Sequence, residues 1–253
     1  MGKRGLVAFP HFIFKVRVVR ASVSFFRQWS LLRPLRLARI AAIALWCCAV
    51  PVSVYAGEND FYIPGVTLYR GDTTLPDVPL VDHHGRNTGV GEWRGKWMVL
   101  YFGYLSCPDA CPTVMAVFKQ VWKTIRHDPK FKDTRIGFVS LDPHRDTTDQ
   151  VAEYIAYFDP EMTGFTALYR DLVSLAAAVD VDFEYQDVNS GKILADEAAL
   201  RSVENYYVNH SSSIVVVGPQ SKLVAHIHGT QDPQAVVEVL GQIQQQYPLQ
   251  APK

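Results

Sequence analysis

Trp97-Met-Val-Leu-Tyr-Phe102-Gly103-Tyr-Leu-Ser106-Cys107-Pro-Asp-Ala-Cys111-Pro112 passes from an unbroken apolar and aromatic run directly into two cysteines. Trp97 to Phe102 has strand length and no polar interruption, the pattern of a strand covered on both faces. Arg94-Gly95-Lys96 ahead of it is turn-like. Behind the cysteines, Val114, Val117, Phe118, Val121 and Ile125 recur at helical spacing and define one buried face. Pro108 and Pro112 each follow a cysteine, and proline suits a helix start, where its missing N–H costs nothing.

Working outward, Arg135–Leu141 reads as a second buried strand, ended by Asp142-Pro143. Thr148 or Asp149 can cap a helix running to about Phe158, with Val151, Tyr154, Ile155 and Phe158 on one side. Asp171–Val179 is a further helix leading into Val181–Gln186, and the polar residues 187–206 read as an insertion or long loop. Ser213–Val217, the turn Gly218-Pro-Gln-Ser221 and Lys222–Ile227 form a hairpin, followed by an amphipathic helix over Pro233–Gln246. Residues 58–79, rich in Pro, Gly and Asp, read as an extended approach. The order predicts an α/β fold, a thioredoxin-like mixed sheet flanked by helices. Fold alone says little about function.

The chain is neutral overall, with 25 basic and 25 acidic residues, which excludes a strongly basic nucleic-acid binder; no nucleic-acid partner is expected. The neutrality is uneven. Residues 1–57 hold nine basic residues and no acid, and the remaining residues, about 195, sum to −9. After the basic stretch comes the apolar run Ile40–Val52, then Val54-Tyr55-Ala56 before Gly57, small residues where a signal peptidase cuts. Residues 1–57 are therefore expected to be a signal peptide or, extended over Leu37–Ala56, a membrane anchor, and 58–253 an exported domain. In a bacterium that domain faces the periplasm, anchored in or released from the inner membrane. The acid-free, Arg-rich leader also fits a mitochondrial transit peptide and a place facing the intermembrane space. Lipidation of Cys47 or Cys48 is disfavoured by the bulky Trp46.

Cys107 and Cys111 are the only cysteines after residue 57, and they stand where a strand gives way to a helix. Unpaired N–H groups and the helix dipole there favour an anion, so a thiolate is expected to be stabilised. Placed four apart on a helix, the two side chains are neighbours that can share one ion or close a disulfide. Three readings stay open: a structural disulfide of an exported protein, a redox pair, and a pair of metal ligands.

The segment Gly95–Pro112 resembles the signature of the Sco/SenC family, the thioredoxin-fold copper proteins of cytochrome c oxidase assembly. Ser140-Leu-Asp142-Pro143-His-Arg145-Asp146-Thr147 resembles that family's acidic Asp-Pro loop. Tyr207-Val-Asn-His210-Ser resembles the segment bearing its metal-binding histidine, and Val217–Val224 the hairpin that follows. The likeness spans roughly residues 75–245. It implies copper, Cu(I) or Cu(II), held by Cys107, Cys111 and His210, and a metallochaperone rather than an enzyme. It also implies a respiratory oxidase copper-site subunit as recipient, a copper donor protein and a thiol reductant. Two thiolates suit soft Cu(I), an imidazole admits Cu(II), and three ligands leave a position open for hand-over.

Relatives carry Asp before the ligand histidine; here Asn209 stands there and offers only a neutral hydrogen bond. Leu105-Ser106 and Gly164-Phe-Thr-Ala167 also depart from the family pattern. Asp142 is either a supporting group of the site or a loop acid starting a turn. His83-His84 and His226-x-His228 are expected to be surface histidines rather than an accessory metal site. Trp97, Tyr101, Phe102 and Tyr104 are expected to form core and pocket wall. The rival function is an exported thiol-disulfide oxidoreductase or thiol peroxidase using Cys107 and Cys111 as its redox-active pair.

Overall fold

The computed structural model describes residues 62–69, 74–229 and 232–247. The leader over residues 1–57 lies outside the described residues, and among the latter no helix is long and apolar enough to cross a membrane. Eleven strands are described: β1 (Val66–Leu68), β2 (Pro79–Asp82), β3 (Asn87–Gly89), β4 (Trp97–Gly103), β5 (Thr134–Ser140), β6 (Thr163–Thr166), β7 (Phe183–Asp187), β8 (Ile193–Leu194), β9 (Tyr206–His210), β10 (Ile214–Gly218) and β11 (Lys222–Ile227). The α-helices are α1 (Ala110–Ile125), α2 (Thr148–Phe158), α3 (Tyr169–Ala178), α4 (Glu197–Arg201) and α5 (Pro233–Gln246).

A mixed sheet runs β1-β11-β10-β4-β5-β6-β2-β3, and a smaller antiparallel one runs β8-β7-β9. β4, β5 and β6 are parallel, and β10 lies antiparallel to β4. All seven residues of β4 and all five of β10 are buried, as their uninterrupted apolar sequences require. The buried face of α1 carries Met115, Val117, Phe118, Val121, Trp122 and Ile125, and α1 packs beside α5. This is the predicted thioredoxin-like arrangement, and register explains why it makes a site. Gly103 of β4 is level with Ser140 of β5, and Ile214 of β10 is level with Tyr101. The loop after β4, the loop after β5 and the chain entering β10 therefore meet beyond the C-terminal ends of the central strands β4 and β5.

Several local expectations change. Thr147, not Thr148 or Asp149, caps α2, in a reciprocal capping box with Gln150. Residues 187–206 are more than a loop: β8 pairs with β7, α4 follows, and Tyr206 already belongs to β9. Gly164 lies within β6 rather than in a turn, and a Cβ there would stand 2.4 Å from Val151, so glycine is what lets α2 approach. His83 and His226 are buried, not surface residues. His83 Nδ1 accepts from Gly164 N–H at 3.2 Å. His226 Nε2 donates to the Val179 carbonyl at 2.7 Å and its Nδ1 meets Ser213 Oγ at 3.1 Å, so both its nitrogens are occupied.

Candidate metal centre

Cys107 does not lie on the helix; it precedes it, and α1 begins at Ala110 with Cys111 in its first turn. The two sulfurs are nonetheless brought together, because the Cys111 N–H points at Cys107 Sγ, 3.5 Å away. Both are free thiols; Cys111 is buried and Cys107 half-buried. Gly103 makes room for this. A Cβ there would stand 2.8 Å from Cys111 Sγ and 3.1 Å from Phe138 and Tyr101, so only glycine lets the sulfur rest against the strand.

His210 ends β9 and turns its ring toward the same point. Its Nδ1 lies 2.8 Å from the carbonyl oxygen of Ser211, which can only accept, so Nδ1 carries the proton and Nε2 is left with its lone pair. That Nε2 stands 3.7 Å from Cys111 Sγ. The rings of Tyr101 and Tyr104 meet the imidazole edge-on at 5.9 and 6.1 Å, fixing its plane. Burial holds the His210 pKa below the ordinary imidazole range, which keeps Nε2 free for a metal.

The two sulfurs and a ring nitrogen lie within 4.8 Å of one another, which among the described residues makes this the group of three placed to share an ion. Atoms bound at about 2.0–2.3 Å to a common ion stand roughly 3–4.5 Å apart, so the residues fit a metal after small side-chain movement. The expected stabilised thiolate is not what the geometry gives at Cys111. Burial, followed by the neighbouring Cys107, pushes that thiol up to about 12. A bound soft cation supplies the charge that the buried sulfur lacks.

The loop after β5 supports the site from behind. Asp142, fully buried, accepts from the Tyr206 hydroxyl at 2.6 Å and from Arg145 Nε at 2.5 Å. Its backbone carbonyl also starts the turn, accepting from Arg145 and Asp146 N–H, so both readings of Asp142 hold at once. Asp146 accepts from Ser140 Oγ at 2.7 Å and from Leu105 N–H at 3.1 Å, tying down the loop that leads to Cys107. Asn209 faces away from the imidazole. Its amide reaches Glu184 at 3.2 Å and Gln186 at 3.4 Å, and Ser211 does the orienting expected of residue 209.

Sequence reasoning missed Gly103, Arg145, Asp146, Tyr206 and Ser211 as parts of this centre. A glycine inside an aromatic strand was the one available signal, since it marks a close approach. His83, His84, His226 and His228 do not join the three ligands, and no second group of three forms among the described residues.

The fold and the site define a thioredoxin-like protein with a dithiol–imidazole centre beyond the C-terminal end of its central strand β4. The profile of the SCO1/SenC family matches residues 70–245, and the chain belongs to that family. A Stutzerimonas stutzeri protein named as copper-binding is 26% identical over 178 residues, 70% of this chain and 80% of that one. The mitochondrial SCO2 homolog of Homo sapiens is 29% identical over 143 residues, 56% of this chain. The match spans about half (49%) of that human protein's length. Copper-bound ScoI of Arabidopsis thaliana superposes with a TM-score of 0.57 at 25% identity, covering 69% of this chain and 99% of that one. Copper-bound yeast Sco1 shares the fold with a TM-score of 0.59 at 20% identity, over 70% of this chain and 92% of its own.

Proposed function

We propose that this chain is a copper-binding metallochaperone whose Cys107, Cys111 and His210 hold one copper ion for the copper centre of a respiratory oxidase. The observation that carries the reading is the convergence of two thiols and one free imidazole nitrogen within 4.8 Å. Two sulfurs suit Cu(I), and the nitrogen extends the set to Cu(II). Cys107, the less buried sulfur, is the one an incoming ligand meets first, so transfer begins there. Loading requires both thiols reduced, which couples copper occupancy to a thiol reductant and lets the same pair reduce the recipient's cysteines.

Residues 1–57 are assigned as signal or anchor and 58–253 as the exported domain. It faces the periplasm, or the intermembrane space if the protein is mitochondrial. The recipient is an oxidase copper-site subunit and the supplier a copper donor protein. The rival reading, a thiol-disulfide oxidoreductase or thiol peroxidase, has less support. It leaves His210 without a purpose, although the imidazole stands beside Cys111 with a free ring nitrogen.

The test is rescue of cells lacking the chain at limiting copper, read as oxidase copper content and activity. Wild type restores both; Cys107→Ser, Cys111→Ser and His210→Ala do not. Full rescue by His210→Ala contradicts copper delivery and favours thiol exchange.

A further inference from the structure

Two phenol hydroxyls near the dithiol, those of Tyr101 and Tyr154, have no role in the three-ligand reading, which uses only the ring of Tyr101. Tyr101 is fully buried in β4 and Tyr154 half-buried on α2; the hydroxyl oxygen of each is inaccessible and lacks a partner at full hydrogen-bond geometry, and the Tyr101 hydroxyl approaches the Cys111 sulfur as its neighbouring acceptor. Buried hydroxyls are ordinarily paired because leaving one unmade is costly. Such groups call for a stronger acceptor than a thiol sulfur offers.

Both hydroxyls lie within electrostatic reach of Cys111 and Cys107, and Tyr101 is also in reach of Tyr154. Gly103 shows how close the first of them is. Its missing Cβ would stand 2.8 Å from Cys111 Sγ and 3.1 Å from Tyr101 Cε1, so sulfur and ring edge press on one backbone position. A thiol sulfur is a weak acceptor; an ionised sulfur on a metal is a strong one. An ordinary phenol is protonated at neutral pH, so Tyr101 is a donor.

We propose that Tyr101 donates a hydrogen bond to the Cys111 sulfur once that sulfur is a metal-bound thiolate, making Tyr101 a positioning residue that sets copper retention. The inference rests on Cys111 being a copper ligand and deepens that reading. The donor shares the negative charge of a sulfur with little access to water. Removing it should weaken binding by roughly ten- to a hundredfold, the range of a hydrogen bond to a charged group.

The experiment uses the reduced full-length chain, with Cu(I) affinity measured by competition against bathocuproine disulfonate for wild type, Tyr101→Phe and Tyr154→Phe. Thermal melting checks that each folds. Tyr101→Phe is expected to bind at least tenfold more weakly and, loaded with Cu(II), to move its sulfur-to-copper charge-transfer band to longer wavelength, a shift that lost packing alone does not produce. Tyr154→Phe is expected to lose less. In wild type, ultraviolet resonance Raman should report one buried tyrosine becoming a donor on copper loading, a reading that needs no variant to fold. Wild-type affinity and an unmoved band in Tyr101→Phe, an equal loss in Tyr154→Phe, or an unchanged wild-type tyrosine signal would each overturn the proposal. A wild type that holds no copper overturns the three-ligand reading together with this one; a wild type that binds while Tyr101→Phe matches it overturns this one alone.

Discussion

The hydroxyl of Tyr206 donates to Oδ1 of Asp142 at 2.6 Å, joining the strand that ends in His210 to the loop that follows β5. Arg145 closes the connection from the other side. Its Nε donates to the second carboxylate oxygen, its Nη1 to the Tyr206 carbonyl at 3.0 Å, and its guanidinium lies 3.7 Å from the Tyr206 ring centre. The imidazole is thus delivered by a strand that is clamped four residues upstream, while Asp146 clamps the cysteine loop.

Tyr206→Phe should expose what that clamp contributes. The substitution keeps the ring and its cation–π contact but leaves a buried carboxylate oxygen short of a donor, at a cost of about 1–3 kcal/mol. Chemical denaturation should show that loss, and copper affinity should fall several-fold because His210 is less firmly held. Unchanged stability would mean that Asp142 does not depend on Tyr206.

Asp146 predicts a pH dependence. Burial raises its pKa from 3.8 to about 6, ahead of the opposing hydrogen bonds from Ser140 and Leu105. A carboxyl with a raised folded pKa favours the folded state when protonated, so its contribution is full below about 4 and disappears as pH rises through 6. Asp146→Asn keeps an acceptor and removes the charge. Relative to wild type, its stability should therefore improve between pH 4 and 6.5 by up to about 3 kcal/mol. Urea midpoints across that range measure the difference; a difference that stays flat contradicts the assignment.

Gly103→Ala tests the approach of sulfur to strand. The added methyl would stand 2.8 Å from Cys111 Sγ, with the rings of Phe138 and Tyr101, each 3.1 Å away, preventing escape. Overpacking of this kind costs about 1–3 kcal/mol. The displaced sulfur should lower copper affinity by about tenfold or more, a loss a purely distant destabilisation would not cause. Copper competition on the folded variant checks it.

Asn209→Asp should do little to copper. Residue 209 is exposed and paired across the strands with Glu184, away from the imidazole. An Asp there faces a like charge, costing about 0.2–1 kcal/mol. Copper affinity should stay within about threefold, in the range of ordinary surface changes. A large gain in Cu(II) binding would show that the side chain reaches His210 after all.

The elements legible in the sequence were those whose signal is local. β4 and β10 announce themselves because strands covered on both faces need unbroken apolar runs, and α1 because its apolar residues keep one face. β8 and α4 were hidden in the polar residues 187–206 because β8 has two residues and α4 five, too few for a periodic signal. Cys107 and Cys111 stand out by their place between strand and helix, His210 only through the resemblance of its segment, and the fold brings the three together. Tyr206, Asp142 and Arg145 were not found as a unit. Tyr206 lies 61 positions from Arg145 and 64 from Asp142 along the chain, and nothing short of the fold makes it their neighbour. The thiol of Cys111 was misjudged for a related reason. A helix terminus can be read locally, whereas burial beneath Tyr101 and Tyr104 cannot.

The most direct test of the centre is the copper K-edge X-ray absorption spectrum of the Cu(I)-loaded chain, recorded for wild type and His210→Ala. The account predicts one copper per chain with two sulfur neighbours and one nitrogen, the nitrogen lost in His210→Ala and copper lost altogether in the Cys107→Ser, Cys111→Ser double variant. A copper shell without sulfur, or one that His210→Ala leaves unchanged, would contradict it.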